Sequence, residues 1–210
     1  REPHVLAAAP YVRGETMLSL GSQASGALLR GVLPGVEDTV SDVVKHIIGG
    51  DISLLQEGEY GIILGSELAT ALGAGIGDAV TVVSPQVIVG PTGIMPRLRR
   101  FTVVALFEVG MFEYDRGVAL VHIKDAARLF RLEGNVTGLR LKLDDVFDAP
   151  TVSQQLYEKL QGDYLIEDWT RRHANFFRAV KTEKRVMFII LTLIVAVAAF
   201  NIVSTLIMVV

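Results

Sequence analysis

Cysteine is absent from all 210 residues, which excludes disulfides, thiolate nucleophiles and zinc–thiolate sites. The absence leaves the compartment open, because many exported domains also lack cysteine. The phosphate-binding pattern GxxxxGK[ST] is missing too, so the chain is not expected to hydrolyse ATP by itself. There is no basic excess: 20 Lys and Arg face 23 Asp and Glu, a net charge of −3. A nucleic-acid binder would normally show a basic domain or stripe. The four histidines, His4, His46, His122 and His173, are scattered without metal-ligand spacing. His122, in an apolar strand pattern, reads as a packed or hydrogen-bonded residue. GAGIGD at Gly73–Asp78 has the glycines of a dinucleotide loop, but it follows a helix and precedes a strand, the reverse of the required context. Asp144, Asp145 and Asp148 read as a solvated acidic turn. No catalytic residue, metal site or bound cofactor is assigned.

Charge is most conspicuously lacking after Arg185. Residues 186–210, VMFIILTLIVAVAAFNIVSTLIMVV, have only Thr192, Asn201, Ser204 and Thr205 as polar side chains. About 20 apolar residues suffice to cross a bilayer as a helix. The run is too long, and at the wrong end, for a signal peptide; a buried core helix without a polar face is the competing reading. The chain begins at Arg1 and stops inside the apolar run, so both ends are expected to be cuts and the chain a membrane-protein fragment. Asp168–Arg185 leads directly into the run, with Trp169, Phe176, Phe177 and Val180 roughly on one helical face. Arg171, Arg172, Arg178, Lys181, Lys184 and Arg185 make the remainder basic. This is either a solvated helix packing its aromatic stripe on its own domain, or an interfacial helix that meets lipid headgroups and couples the domain to the span. With no Gly or Pro between Thr170 and Val210, one continuous helix is expected.

Upstream, HVLAAAPYVRGETMLSLGSQASGALLRGVLPG predicts two or three strands. VEDTVSDVVKHIIGG has Val36, Val40, Val43, Val44, Ile47 and Ile48 at helical spacing, with Gly49 as a stop. YGIILG predicts a short buried strand, SELATALG a helix capped by Ser66, and AVTVV a strand. FTVVALFEV and GVALVHI predict strands, and DAARLFRL a short helix. The closing VTGLRLKL, APTVSQQLYEKLQG and DYLIEDW predict strand, helix and strand. This is half of a split βαβ layer, whose partner must come from the N-terminal strands. The expectation is an α+β fold: a discontinuous domain over 1–167, with outer halves about 1–35 and 135–167 and an inserted mixed α/β subdomain about 36–134. A basic amphipathic connecting helix, 168–185, and a transmembrane helix, 186–210, follow. No internal repeat is visible.

SPQVIVGPTGIMPRLRR, residues 84–100, fits none of these patterns. Pro85, Pro91 and Pro96 bar a central strand or a helix interior. Yet the stretch is apolar, with Val87, Ile88, Val89, Ile94 and Met95, and carries no charge until Arg97. An exposed apolar loop of this kind marks an interaction site.

ILGSELATALGAGIGDAVTVVSP, from Ile63 to Pro85, resembles a stretch common to bacterial permeases of the MacB type. DAARLFRLEGNVTGLRLKLDDVFDA, Asp168–Trp169 and FRAVKTEKRVMFIILTLIVAVAAFNIVSTLIMVV narrow that resemblance to the LolC/LolE lipoprotein-releasing permease family. The resemblance implies a MacB-like periplasmic domain between the first and second membrane spans, in a subunit of the bacterial inner membrane. Its implied work is to extract lipoproteins from the inner membrane, powered by a separate LolD-like ATPase, and to pass them to a LolA-like periplasmic chaperone. A second permease copy or a LolC/LolE paralogue completes the implied transporter. Six basic residues before the span would place that flank in the cytoplasm by the positive-inside rule. Long domains translocate largely regardless of charge, so the resemblance is followed.

In the LolC branch a proline-bounded hook docks the chaperone, beside a polar and basic pad. The resemblance places the hook at Pro85, Val87, Ile88, Val89, Gly90, Pro91, Thr92, Gly93, Ile94, Met95 and Pro96. Pro91, Gly93 and Pro96 match its Pro-x-Gly-x-x-Pro ending. It places the pad at Thr81, Arg97, Leu98, Arg99 and Arg100, with Thr81 standing where an arginine is expected. The hook loop is LolC-like, whereas VFDA and FNIVSTL are more LolE-like, which suggests one permease serving both roles. Phe200 and Asn201 are candidates for a lipoprotein cavity, since an amide is costly in hydrocarbon; Ser204 and Thr205 are expected to bond back to their own helix. The alternative is a MacB-like efflux or mechanotransmission permease working with a periplasmic adaptor. A third reading, an FtsX-like scaffold that activates a cell-wall hydrolase, has no need of the apolar loop, and neither does the efflux permease.

Overall fold

The computed structural model describes residues 4–90, 93–160, 162, 164–172 and 174–209. Strands are β1 (Val5–Leu20), β2 (Gln23–Val32), β3 (Ile47–Ile48), β4 (Gly61–Gly65), β5 (Ala79–Gly90), β6 (Gly93–Phe107), β7 (Val118–His122) and β8 (Gly138–Leu143). Helices are α1 (Glu37–Val40), α2 (Ser66–Leu72), α3 (Phe112–Gly117), α4 (Ile123–Phe130), α5 (Ala149–Leu160), α6 (Trp169–Arg172) and α7 (Ala174–Val209). The chain divides into two compact units, 1–144 and 145–210.

In the first unit the pairing β2–β7–β4–β6–β5–β1 closes on itself, because β1 also pairs with β2. All six strands of this ring feed the larger core cluster, with Val12, Leu29, Ile62, Val82, Phe101 and Val121 among its members. Leu68 and Leu72 of α2, and Leu129 and Phe130 of α4, complete it. A second cluster, including Val43, Ile52, Leu55, Ile63 and Phe107, lies on the other face of the ring. The ring has few edges to manage, which is how a small all-round sheet avoids open ladders. GIILG and VALVH are buried at every position. Both faces of these strands meet core, hence their unalternating composition.

Several expected elements change. The helix expected from Val36 to Ile48 survives only as α1; a 3₁₀ segment, Asp42–His46, and β3 replace the rest. Ser41 takes an extended conformation and its hydroxyl accepts from the Val43 N–H at 3.5 Å, offering the backbone a local alternative to the helix. Gly65, not Ser66, occupies the N-cap of α2. Tyr164–Asp168 forms no strand; the Asp168 carboxylate instead accepts from Thr170 N at 2.8 Å, capping α6. Asp163, where that strand was to begin, lies outside the described residues. The N-terminal partner of the closing layer is present, since β8 pairs antiparallel with Val5–Tyr11 of β1. The expected continuous helix is described as α6 and α7, with His173 between them outside the described residues.

The fold also contains a repeat that the residues hide. β4–α2 and β7–α4 each end in a left-handed residue, Gly73 at φ 66° and Arg131 at φ 51°. Their backbone N–H groups turn back to Ala69 and Thr70 in one copy and to Ala127 and Arg128 in the other. The next N–H repeats the match, Ala74 to Ala69 and Leu132 to Ala127. Arginine where glycine is favoured conceals the correspondence.

Glu37 is 2% exposed and accepts from Arg140 Nη1 at 3.2 Å. Burial pushes its carboxyl above the ordinary value of 4.5, and the charges of Arg140 and Arg30 only partly offset this. Burial likewise pulls the Arg140 guanidinium down. The folded state therefore holds the Glu37 proton more tightly than the unfolded chain. Its contribution is complete below pH 4.5 and is lost as pH rises through the raised folded value. Urea titrations across that window should show the wild type losing stability relative to Glu37→Gln. A wild type that gains on the variant would contradict the direction.

Candidate functional site

The proline-bounded stretch is not a loop but the outer part of a two-stranded arm. β5 and β6 stay paired from Ala79↔Thr102 out to Gly90↔Gly93. Among the described residues, β1 reaches β5 only at Thr81–Val83, and β4 reaches β6 only at Thr102–Phe107. Beyond these contacts each arm strand has one neighbour, so a residue without an N–H is tolerated. The register also shifts between Ser84 and Val87, which places Pro85 at an irregularity, while Pro96 pairs with Val87. This is why prolines that forbid a central strand are compatible with these two. Pro85 is exposed. Val87, Ile88, Val89 and Gly90 follow on β5, and Gly93, Ile94, Met95 and Pro96 lie on β6; Pro91 and Thr92 lie outside the described residues.

The pad residues fall on two faces at the root of the arm. Leu98 and Arg100 point away from the core, Leu98 being 62% exposed. Register aligns Ser19, Thr81 and Arg100 across β1, β5 and β6, and aligns Met17, Val83 and Leu98 in the adjacent row. The first row is polar and the second apolar, with Met17 49% exposed. Met17 and Val83 escaped the sequence reading because neither belongs to the proline-rich stretch; only the strand register brings them beside Leu98.

Arg97 and Arg99 take the opposite parity, that of buried Phe101, and both are engaged. Arg97 Nη1 donates to the Leu129 carbonyl at 3.2 Å, near the C-terminus of α4, where a cation also meets the negative end of the helix dipole. Arg99 lies 5.4 Å from the centre of the Tyr60 ring, within cation–π range, and Tyr60 packs edge-on against Phe101 at 5.4 Å. At the other end of α4, His122 Nδ1 accepts from Lys124 N at 3.3 Å. Burial lowers its pKa, so this histidine serves the helix cap in its neutral form. The Arg97 contact ties the arm's root to the helix that His122 begins.

In the second unit, Thr182–Met208 is long and apolar enough to cross a membrane, and none of its apolar window is buried in the fold. Phe200, 74% exposed, and Asn201 are both on the surface of α7. The Thr205 hydroxyl donates to the Asn201 carbonyl at 2.7 Å, and Thr192 donates to the Phe188 carbonyl at 2.8 Å. Both threonines thus satisfy themselves within the helix, as hydroxyls in apolar surroundings commonly do.

Comparison with known proteins fits this geometry. Residues 1–159 match the MacB-like periplasmic core domain. The chain is 46% identical over 209 residues to the lipoprotein-releasing system transmembrane protein LolC of Xylella fastidiosa (strain 9a5c), covering 100% of this chain and 50% of that protein. It is 26% identical over 210 residues to the lipoprotein-releasing system transmembrane protein LolE of Haemophilus influenzae, covering 99% of this chain and 50% of that protein. The extracellular domain of the ABC-type transporter YknZ from Gram-positive bacteria matches with a TM-score of 0.51 at 10% identity, over 77% of this chain and 79% of that one, a likeness of fold alone. The chain spans about half the length of the curated relatives it matches. With the ring-and-helix domain, the apolar helix and these similarities in place, the chain belongs to the MacB-like periplasmic core domain family, and within it is similar to LolC and LolE proteins.

Proposed function

We propose that this chain is part of a permease subunit of an ABC transporter that extracts lipoproteins from the bacterial inner membrane and hands them to a LolA-like chaperone in the periplasm. In this reading residues 1–167 form the periplasmic domain, with about 36–134 inserted between its outer parts. Residues 186–210 form a membrane span, to which Phe200 and Asn201 contribute a cavity-facing side. A LolD-like ATPase supplies the energy, and a second copy of this permease or a LolC/LolE paralogue completes the transporter. The greater identity to LolC than to LolE supports the LolC role of chaperone docking.

The observation that carries the reading is the β5–β6 arm, which outruns its sheet neighbours and bears Val87, Ile88, Val89, Ile94 and Met95. A chaperone that carries acyl chains must own an apolar cavity, and apolar side chains can occupy it with a gain of about 25 cal/mol per Å² buried. Paired strands and prolines pre-order the arm, which reduces the entropy lost on docking. The row Met17–Val83–Leu98 extends the apolar surface from the arm to its root, and Arg100 adds orientation and on-rate. Arg97 and Arg99 act as positioning residues that hold the root in place. A photo-crosslinker at Ile94 or Met95 is expected to capture the chaperone, and Ile94→Asp with Pro91→Ser to abolish lipoprotein release. Capture of a periplasmic adaptor instead would favour an efflux permease. No capture together with undiminished release would end the docking reading.

A further inference from the structure

Charge is segregated along this chain. Residues 169–185 hold six Lys or Arg and one acid, Glu183. Removing these from the totals of 20 and 23 leaves 14 basic and 22 acidic residues in 1–168, a net of −8 against +5 in the short stretch. No charge follows it. α7 runs unbroken from Ala174 to Val209, and among the described residues its stretch Thr182–Met208 is the one long and apolar enough to cross a membrane. Seating its uncharged part, from Val186 onward, in hydrocarbon leaves the first turns of the same helix, up to Arg185, at the boundary with water.

Within those turns, positions 178, 181 and 185 are basic and are separated by three and four residues, the spacing that stacks helix positions along one side. Position 183 falls on the opposite side of the helix, about 160° from their mean direction at about 100° per residue. At a rise of about 1.5 Å per residue, Arg178 lies about 12 Å from Val186 along the axis and Lys181 about 8 Å. These spans are comparable to the screening length of about 8 Å at physiological salt. Arg171 and Arg172 belong to the separate helix α6, further from the apolar stretch, and contribute little. Lys184 and Arg185 are exposed.

We infer that Arg178, Lys181 and Arg185, with Lys184 beside them, form a binding site for the headgroups of anionic phospholipids. Guanidinium and ammonium N–H groups make charge-assisted bonds to phosphate. The net −8 of residues 1–168 opposes approach to any anionic surface, so the attraction arises in these turns alone. Because the same helix is the span, headgroups held here set its depth and rotation.

This inference rests on the membrane placement proposed above, and one experiment separates the two. The full chain is reconstituted into nanodiscs containing equal parts phosphatidylcholine and phosphatidylglycerol, then released into detergent, and the retained lipids are counted by native mass spectrometry. Each basic residue near a strongly anionic surface is worth about a fivefold change in partitioning. Wild-type protein should therefore retain phosphatidylglycerol over phosphatidylcholine by at least tenfold, a preference that falls with added salt. R178Q/K181Q/R185Q should bring the ratio near one, the charge-preserving R178K/R185K should keep it, and R171Q/R172Q should leave it unchanged. Equal retention of both lipids by the wild type overturns the site, as does a preference that survives the triple substitution. Carbonate extraction reports insertion separately: a chain washed from the membrane would sink the permease reading itself.

Discussion

Gly65→Ala should cost this protein about 3 kcal/mol or more of stability, the range of severe overpacking. An added Cβ would stand 1.9 Å from the Asp115 carbonyl oxygen, 2.6 Å from its carbon and 2.9 Å from its Cα. Every one of these atoms is backbone, so no flexible side chain can swing aside. The opposing residue is itself locked: the Asp115 carboxylate is buried and accepts from the Val109 and Gly110 N–H groups at 2.9 Å each. Conformation is not the issue, because Gly65 has φ −63° and ψ 146°, open to any residue. Gly73→Ala is the comparison. It forces alanine into the left-handed region at φ 66° but meets nothing within 4 Å, and should cost only about 1 kcal/mol. Urea denaturation followed by circular dichroism measures both. Equal costs would show that α3 does not press on Gly65.

The second large effect is expected at Asp125. Its carboxylate is fully buried and accepts from Gly58 N at 2.9 and 3.2 Å, from Tyr60 N at 3.3 Å and from Arg128 Nη1 at 2.9 Å. Asp125→Ala leaves two backbone donors facing an apolar methyl, while the half-exposed Arg128 keeps its pair with Glu57, so the unmet donors should cost about 2–4 kcal/mol. Asp125→Asn retains an acceptor but no charge and should fall between. The consequence reaches the candidate site, since Tyr60 is the ring beside which Arg99 sits at the root of the arm. Under the proposed docking function, the alanine variant should therefore also weaken crosslinking of a chaperone at Ile94, even where the fold is rescued by low temperature. A loss below about 1 kcal/mol would mean that solvent reaches these donors and replaces the carboxylate.

Both residues were silent in the sequence. Gly65 stood in a strand-to-helix junction and Asp125 in a helix that reads as ordinary, and nothing in their neighbours marks them. Their partners, Asp115 and Gly58, lie 50 and 67 residues away. By contrast the strands GIILG, AVTVV and VALVH were legible, and the helix expected at 125–132 is present two residues earlier, at Ile123–Phe130, because local apolar patterning and a backbone conformation agreed. The turn at Gly73–Asp78 was legible for the same reason: Asp78 Oδ2 accepts from Gly75 N at 2.8 Å within four residues. The expected helix over 36–48 failed because Ser41 could satisfy the backbone locally, and tertiary packing of Val43 and Ile52 favoured that outcome.

The candidate site divides the same way. The apolar, proline-bounded character of 85–96 and the uncharged run after Arg185 were written in the residues, since composition alone determines what water and hydrocarbon will accept. That the proline-bounded stretch is a paired arm, that Met17 and Val83 align with Leu98, and that Arg97 and Arg99 turn back to Leu129 and Tyr60 were decided only by tertiary structure. The reason is that strand pairing reverses the face of every side chain with each shift of one residue. Register is set by contacts far apart in the chain, and no local pattern records it.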